Sequence, residues 1–217
     1  MDNQKEQITE ITATTFVIII LFFNAIVLHD NPITLMYGIC GLLYTVLAGK
    51  GKYFCYIFGI ISSCLYGYLS LIHSLWGNAL LNIGYYLPMQ IIGLINWKKH
   101  INPETKSIYK TKLNTKERII ISIVSVTLCI IGYTCLLYTN DQHPVCDSVA
   151  TMLSIVGMYL TVKRCIEQWI VWSIVNLSTL VMWCNIVHTD KNYYSTVLVW
   201  GCYLIIGIYF YFQWRRG

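Results

Sequence analysis

The chain reads as an all-α polytopic membrane protein: two parallel three-helix repeats joined by a linker helix, a three-plus-one-plus-three arrangement, with one extra helix at the N-terminus. Three observations predict this class. Of the 217 residues 56% are hydrophobic and 12% charged, with mean hydropathy +0.57, too apolar for a soluble domain of this length. Fourteen of the fifteen Lys and Arg fall on one side of the resulting topology. The chain also repeats itself at a spacing of 116 to 117 residues.

Crossing a hydrocarbon core of roughly 30 Å takes about 20 apolar residues. Eight segments of about that length can be marked: 15–29, 32–48, 53–72, 77–97, 118–138, 148–162, 167–187 and 194–213. The segment 1–31 holds an acidic tail, Met1 to Glu10, and the extra helix; no small-residue cleavage site follows its apolar run, so the helix is expected to stay. With the N-terminus inside, Lys5, Lys50, Lys52, the run from Lys98 to Arg118, Lys163, Arg164, Arg215 and Arg216 share one side, and only Lys191 faces the other. This positive-inside bias puts both termini in the cytoplasm and makes the +5 net charge a topological signal, with no nucleic-acid partner implied.

The first repeat is expected over 32–97 and the second over 139–217, with a basic loop and the linker helix over 98–138 between them. Ile39-x-Gly41-x-x-x-Thr45-Val46 returns as Ile155-x-Gly157-x-x-x-Thr161-Val162. At the same offset of 116, Tyr53-x-x-Tyr56 falls on Trp169-x-x-Trp172, and Ser62 on Ser178. At 117, Gly84-x-Tyr86-Leu87 and Trp97-Lys98-Lys99 match Gly201-x-Tyr203-Leu204 and Trp214-Arg215-Arg216. Two odd-numbered units share an orientation only if an odd number of spans separates them, which the segment 118–138 supplies. Parallel repeats of this kind are a transporter architecture, with substrate bound near the midplane.

No Asp, Glu, Lys or Arg lies in the middle of a proposed span, which argues against carboxylate-based proton coupling. The buried polar residues are neutral. Trp169, Trp172 and Asn176 lie three and four residues apart, on one stripe of a helix turning roughly 100° per residue. Asn176 lies about 10 Å deeper than Trp169, where hydrocarbon cannot hydrogen-bond it. In the fourth span Asn82, Tyr86, Gln90, Gly93 and Trp97 follow spacings of four, four, three and four. Gln90 and Asn176 are each seven residues from a Trp at the inner interface, so the two amides are expected at similar depth, facing one pocket. The candidate binding residues are therefore Trp169, Trp172, Asn176, Gln90, Asn82 and Tyr86. Neutral amides beside indoles suit an uncharged or cationic aromatic solute.

A plainer role stands beside each. Trp97, Trp214 and Trp169 lie where aromatic belts form at the membrane surface. Asn96 and Asn185 are expected to clamp neighbouring helices, and Pro88 to kink its own. The nine Cys show no metal-ligand spacing and read as small buried hydrophobes, so neither a metal nor a cofactor is expected. No nucleophile, metal cluster or carboxylate pair stands at workable spacing for an enzyme. A sugar facilitator would carry prolines in several spans, and only Pro88 is well inside one.

Trp169-x-x-Trp172-x-x-x-Asn176 resembles the W-x-x-W-x-x-x-N signature of the PnuC-type vitamin transporter family. Trp76-Gly-Asn78-x-x-x-Asn82 and Tyr86-x-Pro88-Met89-Gln90-x-x-Gly93-x-x-x-Trp97 resemble its other dense motif. The resemblance implies facilitated diffusion of nicotinamide riboside across the inner membrane, with phosphorylation by a cytoplasmic ribosylnicotinamide kinase preventing return. A homo-oligomer, a trimer, is an expectation of the same kind. A thiamine carrier of the same family, and a membrane-bound vitamin sensor without flux, are the alternatives. The residue chemistry agrees with a cationic aromatic: a pyridinium against a desolvated indole gains about 1–2 kcal/mol, and each buried polar group left unpaired costs about 1–3 kcal/mol.

Overall fold

The computed structural model describes residues 32–72, 76–139, 142–189 and 194–216. The expected first span, together with His29, His73 and Lys191, lies outside the described residues. The described elements are α1 (Pro32–Gly49), α2 (Cys55–Ile72), α3 (Trp76–Ala79), a π-helical stretch (Leu80–Tyr86) running directly into α4 (Leu87–Lys99), α5 (Thr115–Leu137), α6 (Pro144–Val162), α7 (Gln168–Thr189) and α8 (Tyr194–Arg216). Each of the other seven expected spans thus carries helix. Among the described residues five helices are long and apolar enough to cross a membrane, and α1 is a shorter apolar helix.

Contacts divide the chain into two compact units within α4, between Leu94 and Ile95. In the first, α1 packs on α2, and α2 on α3 and the π-helical stretch. In the second, α5 packs on α6, α6 on α7 and α7 on α8. Helix α6 forms the centre of this unit, with Leu153, Val156, Leu160 and Thr161 all buried. Helix α5 buries only Gly132 and exposes Ile119, Ile120, Ile123 and Ile130, an all-round apolar helix suited to hydrocarbon. It starts at a reciprocal cap, Asn114 Oδ1 accepting from the Glu117 amide while Glu117 Oε2 accepts from the Asn114 amide. Helix α6 begins at Pro144, whose missing N–H costs nothing in a first turn.

The π-helical stretch precedes Pro88. That proline cannot donate to the carbonyl four residues back, and its ring crowds the same carbonyl. The chain gains one residue per turn instead, and Leu87 N–H reaches the Asn82 carbonyl. Pro88 itself is exposed, so it shapes the helix, as the sequence suggests, and does not line its buried face.

The basic connection expected as a plain linker is folded. His100 and Asn102 pair with Tyr109 and Ser107 across a short turn at Lys106. Thr111 then joins the α6–α7 turn: its amide donates to Arg164 O and its carbonyl accepts from the Ile166 amide, both at 2.9 Å. Glu167 accepts from the Leu113 amide and pairs with Arg118 at 2.8 Å. The loop is ordered because its backbone groups are satisfied by another turn.

The α1–α2 and α6–α7 turns have the same backbone bonds, 113 positions apart. Gly51, Lys52 and Cys55 donate to Ala48, Leu47 and Lys52; Arg164, Cys165 and Gln168 donate to Thr161, Leu160 and Cys165. Both turns place one residue at positive φ, Gly51 at 67° and Arg164 at 62°. This register corrects the 116-residue pairing at the end of the first helices, where Ala48 and not Thr45 stands at the place of Thr161, and of the second helices. Trp169 corresponds to Tyr56, Trp172 to Gly59 and Asn176 to Ser63, whereas Tyr53 lies in the turn before α2. The error is three residues, about one helical turn, and a slip of that size leaves an apolar face nearly unchanged. The third helices keep the 117-residue offset: Gly93 backs the Tyr56 ring as Phe210 backs Trp169.

Candidate functional site

In the first unit the candidate residues form one stripe along π-helix and α4. Asn82 is buried, and its Nδ2 donates to the Asn78 carbonyl at 2.9 Å. Tyr86 is half-buried, its ring tilted against Tyr85 at 5.7 Å. Gln90 is buried against Gly59 of α2, so closely that no side chain beyond hydrogen fits there. Its Nε2 donates to Ser63 Oγ at 2.8 Å. Its Oε1 is buried with no hydrogen-bond partner among the described residues.

In the second unit the two indoles take different neighbours. Trp169, second in α7, meets Phe210 at 5.2 Å and Trp214 at 5.7 Å, both from α8. Its Nε1 is buried with no hydrogen-bond partner among the described residues. Trp172, one turn on and half-buried, lies against Gly157 of α6 and donates from Nε1 to Thr161 Oγ1 at 3.0 Å. Asn176 is buried opposite Gly207 of α8 and has no hydrogen-bond partner among the described residues. Neither Oδ1 nor Nδ2 of Asn176 is among the fully buried unpartnered atoms, so the amide stays open to a polar solute.

The repeat register shows how this arises. At the same helix–helix contact the first unit places its amide on the third helix, Gln90, over small Gly59 and Ser63 of the second. The second unit places Ser173 and Asn176 of the second helix against small Gly207 of the third, while Trp172 turns onto Gly157 of the first. One contact has been filled from opposite sides.

Three residues of this neighbourhood were missed by the sequence reading. Ser63 is Gln90's partner. Thr161 accepts from Trp172 at Oγ1, donates from Oγ1 to Gly157 O at 2.8 Å, and accepts from Trp97 Nε1 at its carbonyl, 2.8 Å. Gln168 is almost fully buried, with no partner for Nε2 among the described residues. Thr161 had a signal in the repeated Gly-x-x-x-Thr; Ser63 and Gln168 had none beyond adjacency to other motifs.

Trp97 and Trp214 are not a lipid-facing belt. They are 0% and 1% exposed, 6.3 Å apart, and join Trp169 in one cluster. Aromatic contact supplies a drier environment than the interface, and Trp97 gains a carbonyl acceptor there. The Lys110 ammonium lies 5.6 Å over the Trp214 ring; the residue is exposed, and partial desolvation of the ammonium there lowers its pKa from the ordinary lysine value. Asn96 clamps as expected, Nδ2 donating to Val162 O at 2.6 Å. Asn185 does not: its side chain is exposed and without a partner among the described residues, on the outer face of α7, while Val187 nearer the helix end is buried.

Electrostatically the site is neutral. Among the described residues no Asp, Glu, Lys or Arg is buried; the buried polar groups are Ser and Thr hydroxyls, Asn and Gln amides, the Tyr56 hydroxyl and indole N–H groups. Such a lining provides hydrogen bonds and ring faces, with no fixed cation to receive a phosphate and no carboxylate to titrate.

Comparison with known proteins follows the same lines. A nicotinamide riboside transporter PnuC of Neisseria mucosa is 30% identical over 211 residues, covering 93% of this chain and 80% of the relative. The protein of that name from Haemophilus influenzae is 26% identical over 194 residues, covering 86% and 80%. The crystal structure of the vitamin B3 transporter PnuC superposes with a TM-score of 0.73 at 27% identity, over 94% of this chain and 91% of that one. The family described as nicotinamide mononucleotide transporter matches residues 31–216. The chain is a multi-pass membrane transporter belonging to the nicotinamide mononucleotide transporter family.

Proposed function

We propose that this protein carries nicotinamide riboside down its gradient across the inner membrane, as a three-plus-one-plus-three bundle with an extra N-terminal helix and both termini in the cytoplasm. Trp172, Asn176, Trp169, Gln90, Asn82 and Tyr86 are the residues proposed to bind it. The observation that carries the proposal is Asn176, a buried amide beside Trp172 with no partner among the described residues. The carboxamide and ribose hydroxyls are hydrogen-bonding groups of the kind such an amide lacks, and the pyridinium is a cation for an indole face.

The family description names the mononucleotide, whereas the two relatives are named for the riboside. The neutral lining favours the riboside. A phosphate desolvated without a counter-charge carries a large penalty, and no buried Lys or Arg is present among the described residues to offset it. Net uptake then depends on removal of the substrate inside, which a cytoplasmic kinase would provide by adding that phosphate. A homo-oligomer is part of the same proposal.

Counterflow in proteoliposomes preloaded with unlabelled riboside tests it. Exchange of labelled riboside, with little exchange of thiamine or mononucleotide, is the expected result. Tight thiamine binding without riboside binding would transfer the assignment to the other vitamin, and binding without exchange would make the protein a sensor.

A further inference from the structure

A trough of about 1090 Å³, whose lining includes neither Trp172 nor Asn176, opens on the second unit between α5, α6, α7 and the end of α8. Ile121, Val126, Cys129, Leu153 and Ile174 give it an apolar wall. From Arg118 to Tyr133 it runs fifteen residues of α5, about 22 Å at the helical rise. One leaflet of hydrocarbon is about half of 30 Å, so the trough accommodates a whole acyl chain.

Its two ends differ. One is lined by Tyr133 and Val145; the other by Lys112, Arg118, Glu167 and Arg215. Arg118 is matched by Glu167 at 2.8 Å. Lys112 and Arg215 are exposed, and neither has a partner among the described residues. Two uncompensated cations therefore stand at the head of an acyl-length apolar channel.

We propose that this trough binds an anionic glycerophospholipid, with its phosphate at the end lined by Lys112 and Arg215 and an acyl chain along α5. Charge complementarity selects the headgroup, since two free cations at a membrane surface favour an anionic over a zwitterionic lipid. A free phosphate would meet the cations but leave the apolar channel unused, so the lipid is the occupant. Such a lipid would hold the linker helix α5, which buries little of itself, against α6 and α7.

Native mass spectrometry of the purified full chain, titrated with phosphatidylglycerol or with phosphatidylcholine of the same chains, tests this. One phosphatidylglycerol per chain is expected to be retained roughly tenfold or more over phosphatidylcholine, at about fivefold per cation. The double substitution Lys112→Gln with Arg215→Gln should bring the two lipids to near parity while riboside exchange persists. Ser125→Trp, which fills the channel, should lower retention of both. Equal retention by the unsubstituted protein would overturn the proposal, as would a preference the double substitution leaves intact. Displacement of the lipid by inorganic phosphate would reduce the site to an anion patch. Cross-linking of Ser125→Cys in membranes to a second copy, or to segment 1–31 of the same chain, would assign the trough to that occupant.

Discussion

Gln90 donates one amide hydrogen to Ser63 at 2.8 Å while its carbonyl oxygen stays buried with no partner among the described residues. Half of this side chain is used to hold its own position and half is left over. In the second unit Asn176, which corresponds to Ser63, is without any such partner, and Gly207 takes the place of Gln90. The two amides therefore differ in kind: Gln90 is anchored and Asn176 is not.

Removing the unanchored amide should be felt by the substrate more than by the fold. Asn176→Ala is expected to weaken riboside binding by about 1–3 kcal/mol, roughly 5-fold to 150-fold in Kd, with expression and thermal stability near those of the parent. Isothermal calorimetry on purified protein measures it. Unchanged affinity would remove Asn176 from the site.

Gly59 is the floor on which Gln90 lies. Gly59→Ala is expected to push the Gln90 amide off Ser63 and lower uptake, because the added methyl occupies the amide's place. Shortening the amide in the same chain, Gln90→Asn, should recover part of the loss. If Gly59→Ala alone transports normally, the Gln90 position has no bearing on flux.

Thr161 ties Trp172 to α6 and, through its carbonyl, holds Trp97 as well. Thr161→Val keeps the shape but strands the Trp172 indole N–H, at a cost of about 1–3 kcal/mol in stability. Trp172→Phe gives up the same bond without stranding a donor, so it should cost less stability while weakening riboside binding through a poorer ring face. Denaturation in detergent and calorimetry on the pair separate the two roles. Equal stability losses would contradict the assignment.

Glu167 binds the Leu113 amide and Arg118 at once. Glu167→Gln should loosen the 100–114 loop, by about 0.5–1 kcal/mol because Arg118 is mostly solvated. Limited proteolysis should then cut the loop faster. An unchanged digestion rate would show that the Thr111 backbone bonds suffice.

No Asp, Glu, Lys or Arg is buried among the described residues. Riboside exchange is accordingly expected to be insensitive to an imposed proton gradient. Acceleration by such a gradient in proteoliposomes would reveal a titrating group in the pathway.

Much of the bundle was legible in the sequence. Helix positions followed from apolar length, and the third-helix register from Trp97 and Trp214 with their basic pairs. The π-helical stretch was not legible, because Pro88 predicts a kink without saying how the freed carbonyl is resolved. Nor was the register of the second helices: Tyr53-x-x-Tyr56 matches Trp169-x-x-Trp172 as well by eye as Tyr56 matches Trp169 in space, since helices tolerate slips of one turn.

The sequence by itself determined that this chain is an all-helical membrane protein and that it buries amides and indoles but no charge. These are properties of composition and periodicity, which the bilayer reads residue by residue. Only the tertiary structure decided which amide is anchored, that Trp97 and Trp214 turn inward, and that the basic loop is folded onto the α6–α7 turn. Those outcomes depend on which small residue lies opposite each large one, and that is set by contacts between helices distant in the chain.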